Sequence, residues 1–133
     1  MSFKSWRGIK NDYYFANAGT LKPREGAMEA WKEIVRAGMK TAFVSNAERL
    51  IVEANIRALG LDRDGFLSVN CDDVDRAKPH PDPYLFAAQQ FRVEPSNAAV
   101  IEDSSEGAAA GVAARAPGSG WLAPTTGKAP PPP

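Results

Sequence analysis

Short apolar runs alternate along the chain with longer segments in which apolar residues recur every three or four positions. The runs of strand length lie at residues 40–44, 66–69 and 98–101. Helical periodicity follows each run, and an earlier helix is predicted that has Ala27 to Val35 as the span of its apolar face and ends at Gly38. Regular alternation of strands and helices predicts an α/β fold, in which helices cover both faces of a parallel sheet.

The same pattern assigns individual residues to caps and to the core. Asn46 is predicted to cap a helix that turns Leu50 inward and stops at Gly60. A later helix ends near Phe91; it counts Leu85 among its apolar residues and uses Asp82 and Pro83 as its cap and first turn.

The N-terminal segment allows two interpretations. Residues 13–21 read either as a strand that runs into a glycine turn or as the end of a helix with Gly19 near its C-cap. Periodicity does not decide over so short a window. Pro23 stops any helix that arrives from upstream.

Length and charge narrow the class of protein. The chain of 133 residues fits one domain, and its 16 basic and 16 acidic residues cancel, so we expect neither nucleic-acid binding nor attraction to an anionic membrane. No apolar run approaches the roughly 20 residues that spanning a membrane requires. Cys71 is the single cysteine, which predicts a reducing intracellular compartment, with cytoplasm and organelle stroma or matrix left open.

Polar residues collect at the ends of the predicted strands. Ser45 and Asn46 follow one strand, Lys78 lies on a proline-rich connector, and Glu102 and Asp103 follow a later strand. The carboxyl ends of parallel strands meet at one edge of a sheet, where ligands bind. A hydroxyl, an amide, an ammonium and two carboxylates there suit a phosphate group together with Mg²⁺.

Residues 43–46, 78–84 and 100–104 resemble motifs two, three and four of the haloacid dehalogenase-like phosphohydrolase superfamily, and their flanks resemble its β-phosphoglucomutase-like branch. The resemblance implies a Rossmann-like core over residues 22–124 with an absent or vestigial cap domain. It implies that Ser45, Asn46 and Lys78 bind phosphate, and that Glu102 and Asp103 hold Mg²⁺. Residues 1–21 then form an N-terminal segment, and residues 125–133 a proline-rich tail.

The first motif of that superfamily, Asp-x-Asp-x-Thr, which supplies the nucleophile, is missing. One alignment places Ala16 and Ala18 where its two aspartates belong, on a degenerate strand. The other makes residues 10–21 a remnant of the cap and leaves the first motif outside the chain; the return from cap to core at residues 21–26 favours this second alignment. Both remove the nucleophile, and both predict that Mg²⁺ binding is weak or lost.

Three functions follow from this departure. The preferred one is a non-catalytic domain that serves as a structural or interaction subunit and needs a protein partner. The second is a Mg²⁺-dependent phosphatase or sugar-phosphate mutase whose first motif lies elsewhere. The third is a module that binds a phosphorylated small molecule weakly.

Overall fold

Helices and short strands alternate in the computed structural model, which describes residues 3–61, 67–116 and 120–121. The helices are α1 (Phe3–Asn17), α2 (Ala27–Arg36), α3 (Arg49–Ala58), α4 (Asp82–Phe91) and α5 (Ser105–Ala113). The strands are β1 (Ala42–Val44), β2 (Leu67–Val69), β3 (Ile101–Glu102) and β4 (Gly120–Trp121). None of the helices in these residues is long and apolar enough to cross a membrane.

The described strands form two small sheets. In one, β1 lies beside β2. In the other, β3 and β4 pair in parallel, with Ile101 opposite Gly120 and Glu102 opposite Trp121. The α/β class predicted from the alternation is confirmed. Phe66, the first residue of one predicted strand, lies outside the described residues.

The chain divides into two compact units, and the first comprises Met1–Phe43 and Ala47–Ser68. Its core consists of Val52, Ile56 and Leu61. The Trp31 ring stacks on Phe43 with centroids 4.6 Å apart, which adds an aromatic contact to this core.

Within this unit, the N-terminal segment is helical. Helix α1 continues through Asn17, and a 3₁₀ turn follows from Ala18 to Thr20. The Tyr14 hydroxyl donates a hydrogen bond of 2.6 Å to Asn55 Oδ1, which ties α1 to α3. The interpretation of residues 13–21 as a strand is therefore wrong, and neither Ala16 nor Ala18 lies on a strand.

The second unit comprises Val44–Asn46 and Val69–Pro133. Helix α5 packs against both β3 and α4, and small side chains line these contacts. Ala88 on α4 and Ala110 and Gly111 on α5 are buried, as expected of helices that lie close to their neighbours. The Lys78–Pro79 peptide bond in the connector before α4 is cis.

Two predicted core residues are instead exposed. Leu50 is 59% exposed because the buried face of α3 is formed by Ile51, Val52 and Ile56. Leu85 is 41% exposed because α4 buries Pro83, Ala87 and Ala88.

Two predicted helix caps are also wrong. Glu48, not Asn46, is the N-cap of α3, and no side chain caps that end. Pro81 is the N-cap of α4, which makes Asp82 the first helical residue. In both cases the polar side chain has a tertiary partner that competes with the cap. The predicted domain bounds at residues 21 and 124 stay a prediction, and residues 125–133 lie outside the described residues.

Candidate functional site

The connector that carries Lys78 is held at both of its ends. Arg76 donates from Nε to Asp82 Oδ2 at 3.1 Å and from Nη2 to Asp82 Oδ1 at 3.0 Å, so one guanidinium grips one carboxylate with two parallel hydrogen bonds. Such paired contacts define direction as well as distance. Pro79 and Pro81 lie between these residues and restrict the backbone further.

Asn46 holds the backbone of Lys78 rather than a helix end. Its Nδ2 donates to the Lys78 carbonyl at 2.9 Å, and its Oδ1 accepts from the Lys78 N–H at 2.9 Å. The amide thus pairs with one residue of the connector much as a neighbouring strand would. Both ends of this amide are committed to the protein.

The Lys78 ammonium lies between two acceptors. Its Nζ donates to Glu102 Oε2 at 2.8 Å and to the carbonyl of Val44, at the end of β1, at 3.2 Å. Nζ also lies 5.8 Å from the centre of the Tyr84 ring, within range of a cation–π contact. The side chains of Lys78 and Glu102 are only 9% and 12% exposed, so this ion pair is poorly screened by water.

Glu102 receives donors on both carboxylate oxygens. Oε2 accepts from Lys78 Nζ and, at 3.0 Å, from the Tyr84 hydroxyl. Oε1 accepts from the N–H of Asp103 at 3.0 Å and from the N–H and hydroxyl of Ser104 at 3.2 and 3.1 Å. Ser104 is also the N-cap of α5, because its Oγ accepts from the Gly107 N–H at 3.0 Å. The carboxylate therefore lies at the positive end of the α5 dipole.

These contacts shift the acidity of the site. Burial acts to raise the pKa of Glu102, but the hydrogen bond and charge of Lys78, with the donors on Ser104 and Tyr84, outweigh burial and lower that pKa to about 2. Burial raises the pKa of the Tyr84 phenol well above its ordinary value, and the adjacent Glu102 charge and hydrogen bond raise it further. Glu102 is thus ionised and Tyr84 neutral at neutral pH.

Of the five residues predicted for the site, the structure joins Asn46, Lys78 and Glu102 by hydrogen bonds, and Asp103 joins them through its backbone N–H, which donates to Glu102. Ser45 follows the Val44 carbonyl that Lys78 contacts, and its N–H donates to the Val69 carbonyl at 2.9 Å. Asp103 is half-buried beside Glu102. The phosphate and metal roles assigned to these residues stay predictions.

Sequence reasoning missed the role of Tyr84. A tyrosine on a largely buried helix face usually brings its hydroxyl to a polar partner. The combination of a hydroxyl and a nearby lysine was the available signal.

The residues present do not fit a Mg²⁺ site by themselves. Within residues 3–61, 67–116 and 120–121, no group of three or more histidine, cysteine, aspartate or glutamate side chains could hold a metal ion. Both oxygens of Glu102 already accept hydrogen bonds, one of them from an ammonium. A divalent ion would have to displace these donors.

The α/β fold carries the ion pair of Lys78, on the connector before α4, and Glu102, at the end of β3. A model of the haloacid dehalogenase-like hydrolase family matches residues 3–115. The chain belongs to this family, which confirms the resemblance on which the motif assignment rested.

Two plant proteins illustrate the relationship. The chain is 40% identical over 90 residues to the chloroplastic protein SUPPRESSOR OF QUENCHING 1 of Arabidopsis thaliana, covering 67% of this chain and 8% of that protein. It is 32% identical over 102 residues to the bifunctional riboflavin kinase/FMN phosphatase of the same plant, covering 76% of this chain and 27% of that protein. The chain thus spans well under a third of the length of these relatives.

Solved structures share the fold. A HAD family hydrolase from Deinococcus radiodurans, determined with bound phosphate and sodium, superposes with a TM-score of 0.69 at 40% identity, over 75% of this chain and 44% of that chain. A β-phosphoglucomutase-like protein from Thermotoga maritima superposes with a TM-score of 0.76 over 92% of this chain and 66% of that chain. Its 20% identity shows the fold alone.

Gly107 leaves the space that Glu102 occupies. A Cβ at this position would overlap Cγ, Cδ and Oε2 of Glu102. We expect Gly107→Ala to destabilise the chain by about 1–3 kcal/mol in urea unfolding, because the overlap outweighs the gain in helix propensity. The control is Gly8→Ala in α1, where no atom lies within 4 Å of a new Cβ and stability should stay the same or rise. Equal stabilisation by both substitutions would contradict the close approach.

Acid should weaken the folded chain through Glu102. The pKa of its carboxyl is about 2 in the folded chain and 4.5 ordinarily, so its contribution to stability is complete above pH 4.5 and is lost as the pH falls from 4.5 towards 2. We expect the free energy of unfolding to fall more steeply between pH 5 and 3 than in Glu102→Gln, with exposed Glu106→Gln behaving like the wild type.

If Glu102→Gln does not fold, the ¹³Cδ shift of Glu102 in the wild type reports the same pKa. A midpoint near 4.5 would contradict the predicted shift.

Proposed function

We propose that this chain alone does not hydrolyse phosphate esters, and that it serves as a structural or interaction component of a larger assembly. The phosphatase chemistry of this family needs a carboxylate oxygen that can attack phosphorus. The observation that carries the proposal is that the carboxylate beside Lys78, Glu102, is fully hydrogen-bonded within the protein. Both oxygens of Glu102 accept hydrogen bonds from the protein, so Glu102 does not supply that attacking atom.

Exposed apolar side chains support an interaction role. Ile9 and Tyr13 lie one turn apart on α1 and are 51% and 72% exposed. Met39, after α2, is 63% exposed. Contiguous exposed apolar patches are typical of surfaces that bind another protein, and Ile9 and Tyr13 provide the start of such a patch.

The second candidate is a phosphatase or sugar-phosphate mutase whose first motif comes from outside this sequence. The names of relatives favour it: they include an FMN phosphatase and the pyrophosphatase PpaX of Bacillus thuringiensis, of which this chain covers 27% and 45%. On this proposal, Ser45 and Lys78 bind the phosphoryl group, and a segment outside the chain brings the nucleophile. The chloroplastic relative favours an organelle among the reducing compartments predicted from Cys71.

An aryl phosphate assay separates the two candidates. We expect the purified 133-residue chain with Mg²⁺ and p-nitrophenyl phosphate to turn over about 10⁴–10⁶-fold more slowly than an intact phosphatase, the loss that follows removal of a covalent nucleophile. Lys78→Ala should leave this background rate unchanged.

Turnover comparable to that of an intact phosphatase, and abolished by Lys78→Ala, would contradict the loss of catalysis. A rate that appears only when a polypeptide with an Asp-x-Asp-x-Thr segment is added would favour the second candidate.

The α1 surface should make the isolated chain associate. We expect the weight-average mass in sedimentation equilibrium to rise with concentration, and to stay at the monomer value in the double variant with Ile9→Lys and Tyr13→Lys, because charge removes the apolar contact. Asp12→Lys, on an exposed position of the same helix, is the matched control. A monomer with one cooperative melting transition at every concentration would contradict a role for this surface.

A further inference from the structure

Glu102 has more donors than a carboxylate usually receives. Five hydrogen bonds reach its two oxygens, from Lys78, Tyr84, Asp103 and Ser104. An ionised carboxylate offers about four lone-pair sites, so these donors occupy the group. Three of these five donors lie directly before α5. Two are the backbone N–H groups of Asp103 and Ser104, and the third is the Ser104 hydroxyl, which also caps the helix.

A divalent cation would have to break this arrangement. Mg²⁺ binds its oxygen ligands at about 2.0–2.1 Å and prefers an octahedral shell. At Oε2 the ion would meet the Lys78 ammonium, which lies 2.8 Å away and carries the same sign of charge. At Oε1 it would displace the donors that link the carboxylate to the N-terminus of α5.

Hydrogen bonds fix both the backbone and the side-chain ammonium of Lys78. The Asn46 amide pairs with its backbone N–H and carbonyl, and Glu102 and the Val44 carbonyl accept from its ammonium. Without Asn46, the Lys78 backbone would lose the amide that pairs with it. Without Glu102, the Lys78 ammonium would lose its charged partner.

We propose that Glu102 is a positioning residue that fixes the ammonium of Lys78, with Asn46 fixing the backbone of the same residue, and that Glu102 is not a ligand for a divalent cation. The purpose of this arrangement rests on the proposed phosphate-binding role of Lys78. The arrangement itself is tested without phosphate.

The experiment observes the Lys78 ammonium directly in the full chain labelled with ¹⁵N-lysine. An ammonium held by hydrogen bonds exchanges its protons slowly enough at low temperature to give a resonance, which Lys78→Arg identifies by its loss. We expect this resonance in the wild type, unchanged in position on addition of 10 mM Mg²⁺. We expect it to be lost in Glu102→Gln, and broadened or shifted in Asn46→Asp, which turns an oxygen towards the Lys78 carbonyl.

The matched control for charge is Glu106→Gln, an exposed acid on α5 that should leave the resonance unchanged. Affinity for Mn²⁺, measured by electron paramagnetic resonance, should differ by less than twofold between wild type and Glu102→Gln. A tenfold loss of Mn²⁺ affinity in Glu102→Gln, or loss of the Lys78 resonance when Mg²⁺ is added to the wild type, would overturn the proposal.

If Glu102→Gln fails to fold, the Mg²⁺ titration of the wild type decides alone. Absence of a Lys78 resonance in the wild type would also count against the proposal. Turnover in the aryl phosphate assay would defeat the proposed loss of catalysis and leave these resonances unaffected, so the two failures are distinguishable.

Discussion

The ion pair between Lys78 and Glu102 organises the second unit of the chain. It joins the connector before α4 to the end of β3, and its hydrogen bonds extend to the end of β1 through Val44 and to the start of α5 through Ser104. A nearly buried pair of this kind is worth little compared with an apolar contact, but loss of one partner is costly because the other charge remains desolvated. The pair therefore constrains the geometry of these segments more than it adds net stability.

The donors around Glu102 show how one buried charge is satisfied from several directions. The cation, the phenol and the α5 N-terminus all favour the ionised carboxylate, and they offset the unfavourable effect of burial. Gly107 contributes by absence of a side chain, since the carboxylate occupies the space in which a Cβ would lie. Within six residues, the sequence from Glu102 to Gly107 thus provides the buried carboxylate, the N-cap of α5 and the glycine against which the carboxylate packs.

Membership of the haloacid dehalogenase-like hydrolase family places this pair in the fold of that family, and the chain spans only part of the length of its relatives. Hydrogen bonds between Asn46 and its backbone, and from its ammonium to Glu102 and Val44, hold Lys78 in a defined position.

Sequence alone determined the elements that depend on local pattern. The period of apolar residues located α2, and Gly60, which adopts a φ of 68°, marked the end of α3. The motif pattern alone indicated Lys78 and Glu102 as site residues.

The tertiary structure decided where polar side chains with several potential partners would bind. Asn46 and Asp82 suit helix caps locally, yet each binds a residue of the connector, because a fixed tertiary partner with two hydrogen bonds outcompetes a single bond to a helix end. The apolar pattern likewise did not determine which face of α3 is buried, as the exposure of Leu50 shows. The helix at residues 3–17 also has a tertiary contact that the sequence pattern did not indicate, since Tyr14 donates a hydrogen bond to Asn55, 41 residues along the chain.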